Sequence, residues 1–209
     1  VLLLVALICA VSCVPVRPVI SEVFESRAFS EVRNGTHFYA GVGAFACNQP
    51  LRRCIEAFDF DVFFRIFQLD RFDLGKVYEA DSLDHYKCRE FDLPSGTKME
   101  PVWGWLAHAQ YVGQREFGGK LMVDFWNYTT TVSGVSLQMG LGVMDRGNLP
   151  AQRPVIFERH WSYDGVFERR TMEFLEWGTH TPPDKVFDVP HECPGKGAVK
   201  EDHTFLELE

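Results

Sequence analysis

The 209-residue chain has no apolar run approaching the roughly 20 residues that a membrane-spanning helix needs. It has no basic excess either. Its 21 Lys and Arg stand against 29 Asp and Glu, and a net charge of −8 repels a phosphate backbone, so nucleic acid is not expected as a partner. Long amphipathic helical stretches, low-complexity segments and internal repeats are missing. So are the local signatures of catalysis and metal binding: no Gly-x-Ser-x-Gly elbow, no His-Glu-x-x-His, no EF-hand loop and no Cys-x-x-Cys. The His residues (His37, His85, His108, His160, His180, His191 and His203) are scattered, and a scattered His is usually a surface or satisfied core residue. No catalytic residue is assigned, and a non-enzymatic protein is expected. A secreted hydrolase is the weakest of three readings, kept because a catalytic triad is spatial rather than sequential.

What is present starts at the N-terminus. Val1 to Val11 is an apolar run that stops at Ser12, Cys13 and Pro15. It suits the hydrophobic region of a signal peptide over residues 1–13. No Met or basic stretch precedes it, so the signal reads as N-terminally incomplete. A single domain over 20–193 follows, then a loose acidic tail over 194–209. Cys9 and Cys13 leave with the signal. Cys47, Cys54, Cys88 and Cys193 remain, an even set that implies two disulfides with three pairings open. Two sequons, Asn34-Gly35-Thr36 and Asn127-Tyr128-Thr129, agree with a secreted, extracellular glycoprotein. Both asparagines are expected to be accessible, Asn127 at a strand end.

Two-residue alternation dominates the rest. Phe58, Phe60, Val62, Phe64 and Ile66 alternate with Asp59, Asp61 and Arg65, while Phe63 and Phe67 break the charged face. That break suggests a strand partly covered on both sides. Residues 70–75 read as a turn and Lys76 to Ala80 as a returning strand. Leu121, Val123 and Phe125 alternate with Met122, Asp124 and Trp126, and Leu137, Met139, Leu141 and Val143 share a face. Asp164-Gly165 is a hairpin signal. Val166 to Trp177 fits either a strand or a short helix. The pattern predicts a mostly β protein with curved antiparallel sheets.

Gly41-Val42-Gly43 imitates a dinucleotide-binding loop, but turn chemistry follows it instead of a helix. The plainer reading is a strand with two close backbone approaches. Asp59, Asp61, Asp81, Asp84, Glu90 and Asp92 give acidic density; calcium is the one candidate ion, a solvated face the plainer alternative, and no cofactor is expected. Aromatics make up 14% of the chain, including 18 Phe. That is more than a thin sheet needs, so the apolar faces fill a solid core or line a cavity.

Several segments carry a resemblance. Phe58-x-Phe60-Asp61, Arg65, Gly75-Lys76-Val77-Tyr78 and Asp81, closing at Lys87-Cys88, resemble the ependymin-related proteins. So do Gly118-Gly119-Lys120-Leu121-x-Val123-x-x-Trp126, the closing Phe187-x-x-Pro190-x-x-Cys193 and the early Cys47-x-x-Pro50. The resemblance implies two stacked antiparallel sheets forming a curved open half-barrel with an apolar pocket. It implies a hydrophobic small molecule or lipid such as a fatty acid as partner, with a homodimer, calcium and extracellular matrix adhesion as further associations. Pocket candidates are Phe58, Phe60, Val62, Phe64, Ile66, Leu121, Val123, Phe125, Leu137, Met139, Leu141 and Val143. The family's late pairing implies a Cys88–Cys193 bridge. The loop from Val143 to Pro150, which holds the family's partner for the first cysteine, has no Cys here, which leaves Cys47 with Cys54. A binding protein for a hydrophobic ligand is the leading reading and a matrix or cell-adhesion glycoprotein the second.

Overall fold

The computed structural model describes residues 15–60, 64–81, 87–132, 134–144, 152–190 and 193. The expected signal peptide, the tail, Val62, Asp61 and Asp84 lie outside them. Eleven strands make up nearly all of the regular structure: β1 (Val23–Asn34), β2 (His37–Asn48), β3 (Arg53–Phe60), β4 (Phe64–Arg71), β5 (Lys76–Asp81), β6 (Lys87–Asp92), β7 (Gln110–Phe117), β8 (Leu121–Val132), β9 (Val135–Met144), β10 (Arg153–Tyr163) and β11 (Val166–Gly178). The protein is mostly β and antiparallel, as its alternation predicts, and open, as the resemblance implies; the expected two stacked sheets are corrected to one, because the β1–β11 pairing joins the two halves of the chain edge to edge. The walls belong to one continuous sheet, ordered β6-β5-β4-β3-β2-β1-β11-β10-β9-β8-β7. The segment left open between helix and strand is β11. It returns from a turn at Asp164 (φ 48°) and Gly165 (φ 78°), the two left-handed residues of a type I′ hairpin.

Chain order forces one long crossing. The first half builds outward from β1 to the β6 edge, and the second half begins at the opposite edge, β7. Residues 93–109 must therefore cross the open side of the sheet. This strap carries a short 3-10 turn, Gly104–His108, with Trp105 and Leu106 buried. The Glu22 carboxylate anchors it, accepting from the backbone N–H of Val102 at 3.0 Å and of Trp103 at 3.2 Å. Burial pushes the Glu22 carboxyl above its usual range, and those two hydrogen bonds offset part of that rise.

Why the sheet curves is visible in its residues. Gly41 and Gly43 sit on the concave face of β2, where a Cβ on either would overlap the backbone of Asp59 and Phe60 or of Ala57 and Phe58. These are the two close backbone approaches, and they let β3 fold in over β2. Register shifts at Tyr111/Gly113, Pro154/Ile156 and Arg27/Ala28 add bulges on β7, β10 and β11, and bulges bend and twist a strand.

Two apolar clusters result. The larger lies on the concave face and joins Phe24, Phe45, Phe58, Phe60, Leu141, Val143, Phe157, Met172 and Phe174 to Trp103, Trp105 and Leu106 of the strap. Trp103 packs edge-on against Phe157 at 5.4 Å and Trp177 at 6.2 Å, and lies 5.9 Å from Phe24. The smaller lies on the convex face of β4–β6 and gathers Leu69, Tyr78, Cys88, Phe187 and Cys193, with Phe67 beside them. Strand β4 is thus covered on both sides, Ile66 on the concave cluster and Phe67 on the convex one, which is why its alternation is broken.

Candidate functional site

The concave face is the candidate site, and the strand register decides which side chains it holds. Residues directly opposite in an antiparallel pair share a face. Gly43 opposes Phe58, which opposes Ile66; Leu141 opposes Trp126 and Phe157. Phe58, Phe60 and Ile66, and across the sheet Leu137, Met139, Leu141 and Val143, therefore face inward together. Phe64 lies at the start of β4 in the same phase, paired with Phe60. Leu121, Val123 and Phe125 correct the expectation of one shared surface. On β8 the inward residues are Asp124, Trp126 and Tyr128, opposite Val143, Leu141 and Met139, so those three point to the convex side. There Phe125 lies over Gly140, whose missing Cβ makes room for the ring, and Arg115 stacks on Phe125 at 3.6 Å. Both phases of β8 are apolar enough to serve as an inner face, so alternation could not choose between them.

One end of the concave face is filled by the strap. Trp103 and Trp105 are 4% and 9% exposed, and both indole N–H groups are buried without an acceptor. Toward the hairpin end, Tyr39, Ile66, Leu137, Met139 and Trp161 are only half-buried. A sizeable cavity lies elsewhere. A trough of about 810 Å³ runs over β11, β1, β2 and β3, lined mostly by convex-side residues such as Arg27, Val42, Ala44, Ala57 and Glu176.

Between the two ends of the concave face lies a layer of buried charge. Glu56 of β3 meets Arg159 of β10 and Arg170 of β11. Arg159 donates from one terminal nitrogen to both Glu56 oxygens at 3.1 Å, and Arg170 pairs with the same carboxylate. Burial pushes the Glu56 carboxyl up, but the two facing guanidinium groups outweigh it and hold the group below its usual range. Burial in turn pulls Arg170 down to about 10, against the attraction of Glu56. Four strand spacings, about 19 Å in a flat sheet, separate β3 from β10. The contact therefore measures the curvature directly. Sequence reading missed this layer. Its signal was a charge at the inward phase of apolar runs: Cys54-x-Glu56-x-Phe58 and Phe157-x-Arg159-x-Trp161.

The remaining expectations fall as follows. Cys47–Cys54 and Cys88–Cys193 are both bridged, with Cα atoms 4.2 and 4.7 Å apart. Asn34 is exposed at the β1–β2 hairpin and donates to Glu168 at 3.3 Å. Asn127 is not at a strand end. It lies inside β8, paired on both sides and half-buried, with its Oδ1 buried and without a partner. Three of the acidic residues are paired with cations: Asp59 with Arg65, and Glu90 and Asp92 with Lys76. Among the described residues no three His, Cys, Asp or Glu converge on a metal position. No helix among them is long and apolar enough to cross a membrane.

No protein-family model matches the chain, and no curated protein matches it, so membership of the ependymin-related family is not shown. Solved structures do resemble it in outline. A domain described as an outer membrane lipoprotein-sorting protein, from Vibrio parahaemolyticus, is 7% identical with a TM-score of 0.40, over 79% of this chain and 88% of that one. A DUF1329 family protein from Desulfovibrio piger is 8% identical with a TM-score of 0.35, over 80% and 90%. At such scores the names of those proteins carry no weight for this one.

Proposed function

We propose that the protein is a secreted, non-enzymatic carrier of a hydrophobic molecule such as a lipid, held against the concave face of the half-barrel. One observation carries the reading. An aromatic and aliphatic surface, crossed by the Glu56–Arg159–Arg170 layer, is covered at one end by a single strap and left half-exposed at the other. A sheet face with no further role is normally sealed by another layer of structure. Here the sealing element is the 93–109 crossing, tied at Glu22, and its two indole N–H groups lack acceptors. Apolar burial at about 25 cal/mol per Å² supplies the affinity. The disulfides, the exposed Asn34 sequon and the apolar N-terminal run support an extracellular setting. The kinship with ependymin-related proteins belongs to this proposal and rests on the short motifs alone.

Native mass spectrometry of protein purified from its source, followed by lipid extraction, tests the reading. The expected result is a one-to-one adduct that organic solvent releases as a lipid. Ligand-free protein that also takes up neither oleate nor oleyl alcohol overturns it.

A further inference from the structure

We propose that Arg159 and Arg170 form a binding site for an acidic group, a carboxylate or a phosphate, on the concave face. For the apolar tail of such a ligand this rests on the carrier reading; for the acidic head it does not. The two arginines stand directly opposite each other on β10 and β11, and like charges so placed repel. Arg170 is 5% exposed. Its Nε donates to Ser30 Oγ at 3.1 Å and Nη1 pairs with Glu56, while Nη2 is buried with no partner. Arg159 spends Nη2 on Glu56, and its Nε is buried with no partner. One carboxylate, Glu56, thus pairs directly with two guanidinium groups, Glu168 attracts both from farther off, and each arginine keeps an unspent donor.

The other acid in this phase, Glu168, opposes Trp161 in the register and spends one oxygen on Asn34 at the exposed hairpin end; it attracts both arginines, but no hydrogen bond from it reaches their unspent donors. Aromatic rings steady the pair: Arg170 lies 4.9 Å from the Phe58 ring and Arg159 5.5 Å from the Phe157 ring. Charge-assisted donors held in this way suit a planar carboxylate or a phosphate. Met139, which opposes Arg159, continues into the half-buried surface of Leu137 and Trp161. An acidic head at the arginines would place an aliphatic tail along that surface.

Tryptophan emission of the full chain, titrated with oleate, oleyl alcohol and inorganic phosphate, reads the site. Wild type should bind oleate about tenfold tighter than oleyl alcohol. The preference should vanish in Arg159→Gln and return in part in Arg159→Lys, with oleyl alcohol unchanged throughout. Should Arg159→Gln fail to fold, Glu56→Gln keeps both arginines and removes their competing acid; it should bind oleate more tightly than wild type, and weaker or equal binding overturns the site. Equal affinity of wild type for oleate and oleyl alcohol overturns the site and leaves the carrier reading standing. Phosphate binding without oleyl alcohol binding keeps the acid site and removes the carrier reading. No binding of any of the three overturns both.

Discussion

The half-barrel and the three-stranded wing of β4–β6 are built from the same alternation, yet their apolar clusters form on opposite faces. In the half-barrel the concave side is apolar and is sealed by a strap from within the chain, with Trp103 at its centre. In the wing the concave side mixes Gln68, Asp70, Glu79 and Arg89 with buried Val77 and Phe91, and the apolar cluster of the wing lies on the convex side. There Phe187 and the Cys88–Cys193 bridge seal the cluster with the C-terminal stretch. A sheet this wide cannot curl every strand around one core. The edge that escapes the curl finds its cover on the other side, where Ile55 of β3 joins Phe67 and Leu69. The comparison teaches that period-two patterning specifies two faces, while the covering segment decides which of them is inside.

The largest expected effect is on the curvature that separates the two regions. Gly43→Ala puts a methyl group into the backbone of Ala57 and Phe58, which no side-chain adjustment relieves. Loss of more than about 4 kcal/mol is expected, enough to prevent recovery of folded protein. Wild-type solubility and an unchanged denaturation midpoint would show that the sheet bends elsewhere. Next is the strap. Trp103→Ala empties the centre of the larger cluster and should cost about 4 kcal/mol, measured by chemical denaturation. Hydrogen exchange should quicken in β1, β2, β10 and β11 and stay slow in β5 and β6. A uniform loss of protection would mean that the two clusters unfold as one.

The wing is probed by removing its bridge. The Cys88→Ser, Cys193→Ser double variant opens a link across 105 residues and should cost about 3 kcal/mol, with strain and residual unfolded-state structure limiting the effect. Protection should fall first in β5 and β6, the reverse of the Trp103 result. Loss of tryptophan packing in this variant would make the wing a part of the half-barrel core.

Much of this architecture was legible in the sequence, and particular residues show why the rest was not. The hairpin at Asp164-Gly165, the turn before Lys76 and the close approaches at Gly41 and Gly43 follow from local chemistry, which a sequence carries on its face. Phe67 announced the double cover of β4 by breaking a charged phase. Leu121, Val123 and Phe125 were assigned inward because β8 offers two apolar phases, and only its register against Leu141 and Val143 chooses between them. Asn127 reads as a strand end because it follows Trp126 and leads into a polar threonine run, yet β8 continues through that run to Val132, and Gln110 and Gly140 pair with Asn127 on either side. The charged layer of Glu56, Arg159 and Arg170 depends on contacts across more than 100 positions, which no local pattern encodes.

The smallest effect concerns a carboxyl on the concave side of the wing, set among buried apolar neighbours, and its sign follows from that group alone. Asp70 lies on β4 opposite Cys54 and Val77, accepting from Gln68 at 3.0 Å. Burial pushes its pKa from 3.8 up to about 6; the Gln68 hydrogen bond pulls it down, while Glu56 and Glu79 add repulsion. Because the folded value is the higher one, the folded state binds more protons than the unfolded state between those two values. Ionised Asp70 therefore destabilises the fold above about pH 6, and the penalty is relieved as pH falls through 6 toward 3.8. Asp70→Asn should accordingly stabilise the protein at pH 8 by on the order of 2 kcal/mol and leave it unchanged near pH 4. Thermal melts of both proteins across that range check the difference. An Asp70→Asn protein less stable than wild type at pH 8, with the deficit shrinking only as pH falls below about 4, would mean that the carboxylate is held by a cation, and that the wing's concave side is a paired surface like that of Glu56, not a strained one.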